Sequence, residues 1–218
     1  MARAKIEDAE LSTDVLLTAY RSGYFPMAYD KHDIEIAWFS PDPRGVLPIK
    51  NFNIPRGLKR VLKDHPFTLK VDSAFAEVIT ACSELTGARK DTWINTRIRD
   101  AYIALHKAGH AHSIETWHEG QLVGGLYGVS IGAAFFGESM FSRMPEASKV
   151  ALVTLVEILD EAGYSLLDTQ YVNEHLKQFG VEAVRKRRYL SLLEKALNAL
   201  PNPSSRFSTI SVRRGLAS

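Results

Sequence analysis

The chain has 218 residues, 45% of them hydrophobic and 24% charged, with a formal net charge of +2; this is the composition of a globular protein long enough to bury a sizeable core. So small a basic excess excludes a nucleic-acid reading based on bulk charge and leaves only local clusters to carry one. A single cysteine, Cys82, excludes an intramolecular disulfide and a cysteine-built zinc site. No apolar run reaches the roughly 18 residues of a membrane span, and the charged start MARAKIEDAELS lacks a signal-peptide core, so a soluble, cytoplasmic protein is expected.

Residues 12–22 (STDVLLTAYRS) predict a helix capped by Ser12 or Thr13 and stopped by Gly23. The next stretch, 24–49, holds Pro26, Pro41, Pro43 and Pro48 among many aromatics, which rules out a long helix and predicts strands and turns. It is expected to join a small N-terminal domain, residues 1–44, to a main domain, residues 45–218. Pro55 opens a short helix over 55–64. FTLKVD predicts a strand, SAFAEVITACSEL a helix capped by Ser73, and NTRIRDAYIALHKAG a helix ended by Gly109.

Three strand-like runs follow, SIETW, LVGGLYGVS and AAFFGESMF. The short turns HEGQ and IGA between them imply an antiparallel meander. Residues 146–162 predict an apolar helix with Pro145 at its start and Gly163 at its end. YSLLDTQ is then a strand, NEHLKQFG a short helix, and RRYLSLLEKALNAL a last amphipathic helix before a polar tail expected to be loose. Antiparallel strands followed by helix, strand and helix make an α+β domain.

Strand alternation puts Phe136, Glu138 and Met140 on one face and Phe135, Gly137 and Ser139 on the other. A carboxylate between large apolar side chains is costly unless it finds a donor. The structural alternative for Glu138 is an ion pair with an arginine such as Arg143. In LLDTQ, Asp168 and Gln170 stand two apart and share a face, so three polar side chains on two strands have a route to one cleft. Arg56, Lys59, Arg60 and Lys63 fall at i, i+3, i+4 and i+7, one basic helix face suited to phosphate, or otherwise a solvated surface. Arg185, Lys186, Arg187 and Arg188 form a second cluster. His106, His110 and His112 suggest a metal site, but Gly109 breaks the helix between them, and none is assigned.

The motifs GYFPM, WFSPDPRGVLP, DTWI, LHKAGHAHSIETW, LVGGLYGV, YGVSIGAAFFGESMFSRMPEASKVAL and LLDTQ, in that order, resemble those of the bacterial leucyl/phenylalanyl-tRNA–protein transferases over roughly residues 16–190. The resemblance implies a GCN5-related N-acetyltransferase-like domain beside a small N-terminal domain. It implies transfer of leucine or phenylalanine from Leu-tRNA or Phe-tRNA to the α-amine of proteins with N-terminal Arg or Lys, marking them for degradation. It implies no metal or coenzyme, and a monomer with no membrane association. By the same resemblance Asp168 and Gln170 are the catalytic pair. Asp168 would orient Gln170 and help accept the amine proton, and Gln170 would contact the amine. Glu138 would hold the donor's α-amine or terminal ribose.

Leu126 and Phe135 would line the amino-acid pocket, Tyr102 would lie near the donor, and Trp93 would pack on the terminal nucleoside. Arg56, Lys59, Arg60 and Lys63 would take the tRNA backbone. If both Phe135 and Glu138 touch the ligand, the strand must bulge or twist near Gly137. Met27 stands where the family often has Trp. Two other readings fit the same fold class: an acyl-CoA-dependent N-acyltransferase, and a non-catalytic RNA-binding module. The first is disfavoured because SRMPEASKVA lacks the glycines of a pyrophosphate turn. The second is disfavoured because binding alone does not need Glu138, Asp168 and Gln170 together.

Overall fold

A computed structural model describes residues 11–31, 35–64, 66–85 and 90–201. The polar tail beyond 201 lies outside them. The chain opens with α1 (Thr13–Arg21), where the Ser12 hydroxyl accepts the Val15 N–H at 3.3 Å. A two-stranded antiparallel sheet follows, β1 (Phe25–Ala28) against β2 (Ile36–Phe39). The remaining elements are β3 (Arg44–Leu47), α2 (Arg56–Asp64), β4 (Thr68–Val71), α3 (Phe75–Ser83), α4 (Thr96–Lys107), β5 (Ala111–His118), β6 (Gln121–Ile131) and β7 (Ala134–Ser142). After these come α5 (Ala147–Glu161), β8 (Leu166–Gln170), α6 (Glu174–Lys177), β9 (Glu182–Val184) and α7 (Lys186–Leu197).

The large sheet runs β4-β5-β6-β7-β8-β3-β9. The meander β5 to β7 is antiparallel, as its short turns require, with Glu119 and Gly120 both at positive φ between β5 and β6, and β4 pairs antiparallel with β5 across the α3–α4 connection. β8 returns through α5 to lie parallel to β7, and β3 and β9 close the far edge antiparallel. The mixed α+β architecture is therefore as expected. Two apolar clusters cover the sheet's two faces. One packs α1, α3, α4 and α7 around Leu16, Tyr20, Phe75, Tyr102, Phe136 and Leu193. The other packs α5 and α2 around Leu58, Leu126, Phe135, Val153 and Leu167.

Two local expectations are corrected, and one short strand is added. Ser73 does not cap α3; it lends its backbone N–H and its hydroxyl to the Glu115 carboxylate, which also takes the Ala74 N–H at 2.9 Å and so caps the helix from β5. The short strand β9 carries no sequence signal of its own at three residues. Phe136, Glu138 and Met140 do not share a face. Tyr127 stands opposite Ser139, and Gly128 stands opposite Gly137, which leaves Glu138 as the extra residue of a β-bulge. The bulge inverts the alternation beyond it, so Met140 joins the cluster of Phe135 and Phe141 joins that of Phe136. Gly128 permits this: a β-carbon there would strike the Phe136 carbonyl and the Phe135 ring.

Candidate active site

β7 and β8 pair only from Ala134–Leu166 to Phe136–Asp168. Beyond that point the strands part. The wedge opens into a pocket of about 120 Å³, lined by Leu126, Met140, Leu152, Leu155, Leu167 and Leu176 with the polar Glu138 and Gln170. The bulge sits at the mouth of this wedge, so the strand turns its one carboxylate toward the gap where pairing stops.

Glu138 is half-buried and lies within hydrogen-bond reach of Tyr20 Oη at 2.8 Å, Tyr102 Oη at 3.3 Å and Gln170 Nε2 at 3.2 Å. The two tyrosine hydroxyls also bond each other. Burial, and then the negative charge of Asp168, push the Glu138 carboxyl up to about 8, against the opposing pull of the tyrosine hydrogen bonds and Arg44. Both tyrosine pKa values are raised, first by burial and then by Glu138. That shift favours the protonated carboxyl at neutral pH. Glu138 forms no ion pair with Arg143, which reaches Glu84 at 2.9 Å.

Asp168 is wholly buried and faces away from the pocket. Arg44, itself wholly buried, grips it with Nε at 2.9 Å and Nη2 at 2.8 Å. Tyr189 Oη adds a third donor at 2.6 Å. The Arg44 guanidinium lies between the rings of Phe25 and Tyr189, at 4.8 and 4.6 Å, and its Nη1 donates to the Gly23 carbonyl at 3.0 Å. The remaining valence of Asp168 accepts the Gln170 backbone N–H at 2.8 Å. Gln170 has φ +58°, the left-handed region that a side-chain-bearing residue adopts only when held there. Asp168 therefore fixes the backbone that aims the Gln170 amide at Glu138, and its oxygens are saturated by that task.

The structure brings Glu138, Gln170, Leu126 and Tyr102 together and sets Asp168 directly behind them. It does not bring Phe135 or Trp93 to the pocket. Phe135 is wholly buried under Gly128. Trp93 packs on the cluster of α1 and α4, and its carbonyl accepts the Ala28 N–H at 3.2 Å. Arg56, Lys59, Arg60 and Lys63 are exposed on α2, where only Leu58 is buried; Arg60 lies 3.9 Å from Asp64. In the second basic cluster, Lys186 gives its N–H to Asp42 at 3.1 Å and rests its ammonium over Tyr24. His106 stacks on Phe75, and His112 bonds Asp72 at 2.7 Å.

Sequence reasoning missed Tyr20, Arg44 and Tyr189. Tyr20 follows Leu16 by one helical turn on an apolar face, which reads as core; the signal was that a buried phenol needs a partner. Arg44 stands in the quoted WFSPDPRGVLP, and its partner is 124 positions away.

The family model for the leucyl/phenylalanyl-tRNA protein transferase matches residues 46–194, and the model for that family's N-terminal domain matches residues 9–42. A leucyl/phenylalanyl-tRNA–protein transferase of Paramagnetospirillum magneticum is 49% identical over 187 residues, covering 86% of this chain and 90% of that protein. Among solved structures, a ribosomal-protein-alanine N-acetyltransferase of Brucella melitensis gives a TM-score of 0.36 at 13% identity, covering 52% of this chain and 86% of that one. The L-PGS structure of Bacillus licheniformis gives 0.41 at 14% identity, covering 83% and 62%. Both structural likenesses are remote. The sequence matches are not, and the longer of the two family-model matches spans the bulged strand and the wedge: the chain belongs to the leucyl/phenylalanyl-tRNA protein transferase family.

Proposed function

We propose that this chain transfers leucine or phenylalanine from aminoacyl-tRNA to the α-amine of proteins that begin with Arg or Lys, in the cytoplasm, and so creates a degradation signal. The observation that carries the reading is the wedge between β7 and β8. It sets one carboxyl, Glu138, and one amide, Gln170, on the rim of an apolar pocket suited to an aliphatic or aromatic side chain. The donor is an activated ester, so amide formation runs downhill. The enzyme has to align two substrates, move a proton and meet developing charge.

In this reading the donor's α-ammonium docks on Glu138 and displaces its proton, since a cation beside a carboxyl favours the ionised form. Gln170 contacts the reacting centre. Asp168 is a positioning residue, held by Arg44 and Tyr189. The exposed cations of α2 take tRNA phosphates. An acyl-CoA reading is disfavoured by the start of α5. There the Ser148 N–H donates to Ser142 Oγ at 3.2 Å and the Ala147 N–H to the Met144 carbonyl at 3.3 Å, so amides that would cradle a pyrophosphate are engaged.

The test mixes the protein with labelled Leu-tRNA and a peptide beginning with Arg. Label is expected in the peptide; no transfer while the tRNA stays charged refutes the reading. Transfer from acetyl-CoA instead would favour the rival.

A further inference from the structure

The proton released when the amine attacks needs an acceptor, and the groups described so far supply none. Asp168 is sealed behind the pocket by Arg44 and Tyr189. Glu138 is engaged by Tyr20, Tyr102 and Gln170 and, in the reading above, is taken up by the donor's ammonium. An amide such as Gln170 is not basic. A histidine also lines the same pocket: His175, at the start of α6. Its Nε2 is buried and has no hydrogen-bond partner among the described residues. Thr169 Oγ1, on the adjoining strand end and lining the same pocket, is likewise buried and unpartnered. Buried polar atoms are normally satisfied, and two unmet ones in one pocket mark a place where a ligand supplies the partner.

Resting on the transfer reading above, we propose that His175 accepts the proton of the attacking amine. The amine nitrogen bonds the ester carbonyl carbon, and its proton passes to His175 Nε2. The tetrahedral centre then collapses: the carbon–oxygen bond to the terminal ribose breaks, the electron pair stays on the ribose oxygen, and His175 returns the proton to it. Atoms and charge balance with no further reactant. Thr169 hydrogen-bonds the same substrate polar atoms. For the first step the imidazole must be neutral, with its proton on Nδ1.

The surroundings favour the neutral ring. Burial and then the Lys149 cation push its pKa below the ordinary 6.5, and Glu146, from the start of α5, opposes them. Lys149 and Glu146 pair at 2.7 Å. On its own helix Glu174 and Lys177 neutralise each other at 2.6 Å. Glu138 and the Tyr127 phenol are the remaining titratable groups on the pocket wall.

The experiment measures Leu transfer to an Arg-peptide from about pH 5 to 8 for the wild type, His175→Gln and His175→Ala. General-base loss typically costs about 100-fold or more in turnover, so kcat is expected to fall by that factor in both variants with KM for Leu-tRNA unchanged. The wild-type rate should rise with pH through a midpoint below 6.5, and that limb should vanish in the variants. Added imidazole should restore part of the His175→Ala rate. Thermal melting of His175→Gln reports whether packing is kept, and that variant decides if His175→Ala does not fold. A folded variant within about threefold of the wild-type kcat, or one that keeps the wild-type pH limb, overturns the proposal while leaving the transfer reading intact. Absence of transfer by the wild type overturns the transfer reading itself, and the proposal with it.

Discussion

Replacing Arg44 with methionine removes a cation while keeping most of its apolar stem. Asp168 is wholly buried, and both of its oxygens lie against the Arg44 guanidinium, at 2.9 and 2.8 Å. The variant leaves that carboxylate with only the Tyr189 hydroxyl and the Gln170 N–H. Removing one partner of a buried pair costs about 3–5 kcal/mol, because the other charge is stranded. For a chain of this length each kcal/mol lowers Tm by about 2–4 °C, so the melt should fall by about 6–20 °C. Pairing the change with Asp168→Leu removes both charges, and most of the lost stability should return. Activity should not return. The Gln170 N–H then has no acceptor, and nothing holds the +58° backbone that aims its amide at Glu138, a conformation costing about 1–3 kcal/mol. Circular dichroism melts and peptide-transfer rates on the two variants check this. An Arg44→Met protein within about 1 kcal/mol of wild type, by the measure of the same buried-pair cost, would refute the energetic argument. A double variant with wild-type turnover would refute the positioning role.

Three further outcomes are expected. The Glu138 carboxyl is pushed from 4.5 to about 8 in the fold, so its contribution is whole below pH 4.5, falls as the unfolded chain alone ionises, and is flat above 8; Glu138→Gln should flatten that slope in urea melts, with the loss capped at about 5 kcal/mol. An unchanged difference between the two proteins across the range would sink the assignment. Changing Lys59, Arg60 and Lys63 to Ala should lower the slope of log affinity for tRNA against log salt by about 2–3, near 0.9 per lost phosphate contact, and an identical slope would remove α2 from the tRNA surface. Gly128→Ala should cost about 1–3 kcal/mol by driving a β-carbon into the Phe136 carbonyl and the Phe135 ring, and should abolish transfer by shifting the bulge; wild-type melting and turnover would show that the bulge does not depend on that glycine.

Much of the fold could be read because its signals are local. Ser12, Asn95 and Asn173 each cap the helix they precede, and the turn residues between β5, β6 and β7 enforce a meander. Glu138 could be singled out because a charge in FFGESMF violates the pattern around it. The bulge could not be placed, because what creates it lies on the next strand, where Gly128 has no side chain to keep the Phe135 ring away. Periodicity also says that a residue is buried, not which of two clusters buries it. Arg44 and Asp168 were legible singly but not as a pair, since nothing local couples positions so far apart.

These misses share a cause, and it bears on how the site works. Each strand obeys its own period until the wedge, and there the rules of both β7 and β8 fail together. β7 gains a residue at Glu138, and β8 ends in a left-handed Gln170. Pairing stops between them at Phe136 and Asp168. The parted strands leave room for a substrate, and they free one carboxyl and one amide from the ladder to meet it. A buried arginine–aspartate pair then carries the strain of the second irregularity. The departures from regular structure are thus the features that turn a sheet interior into a cleft.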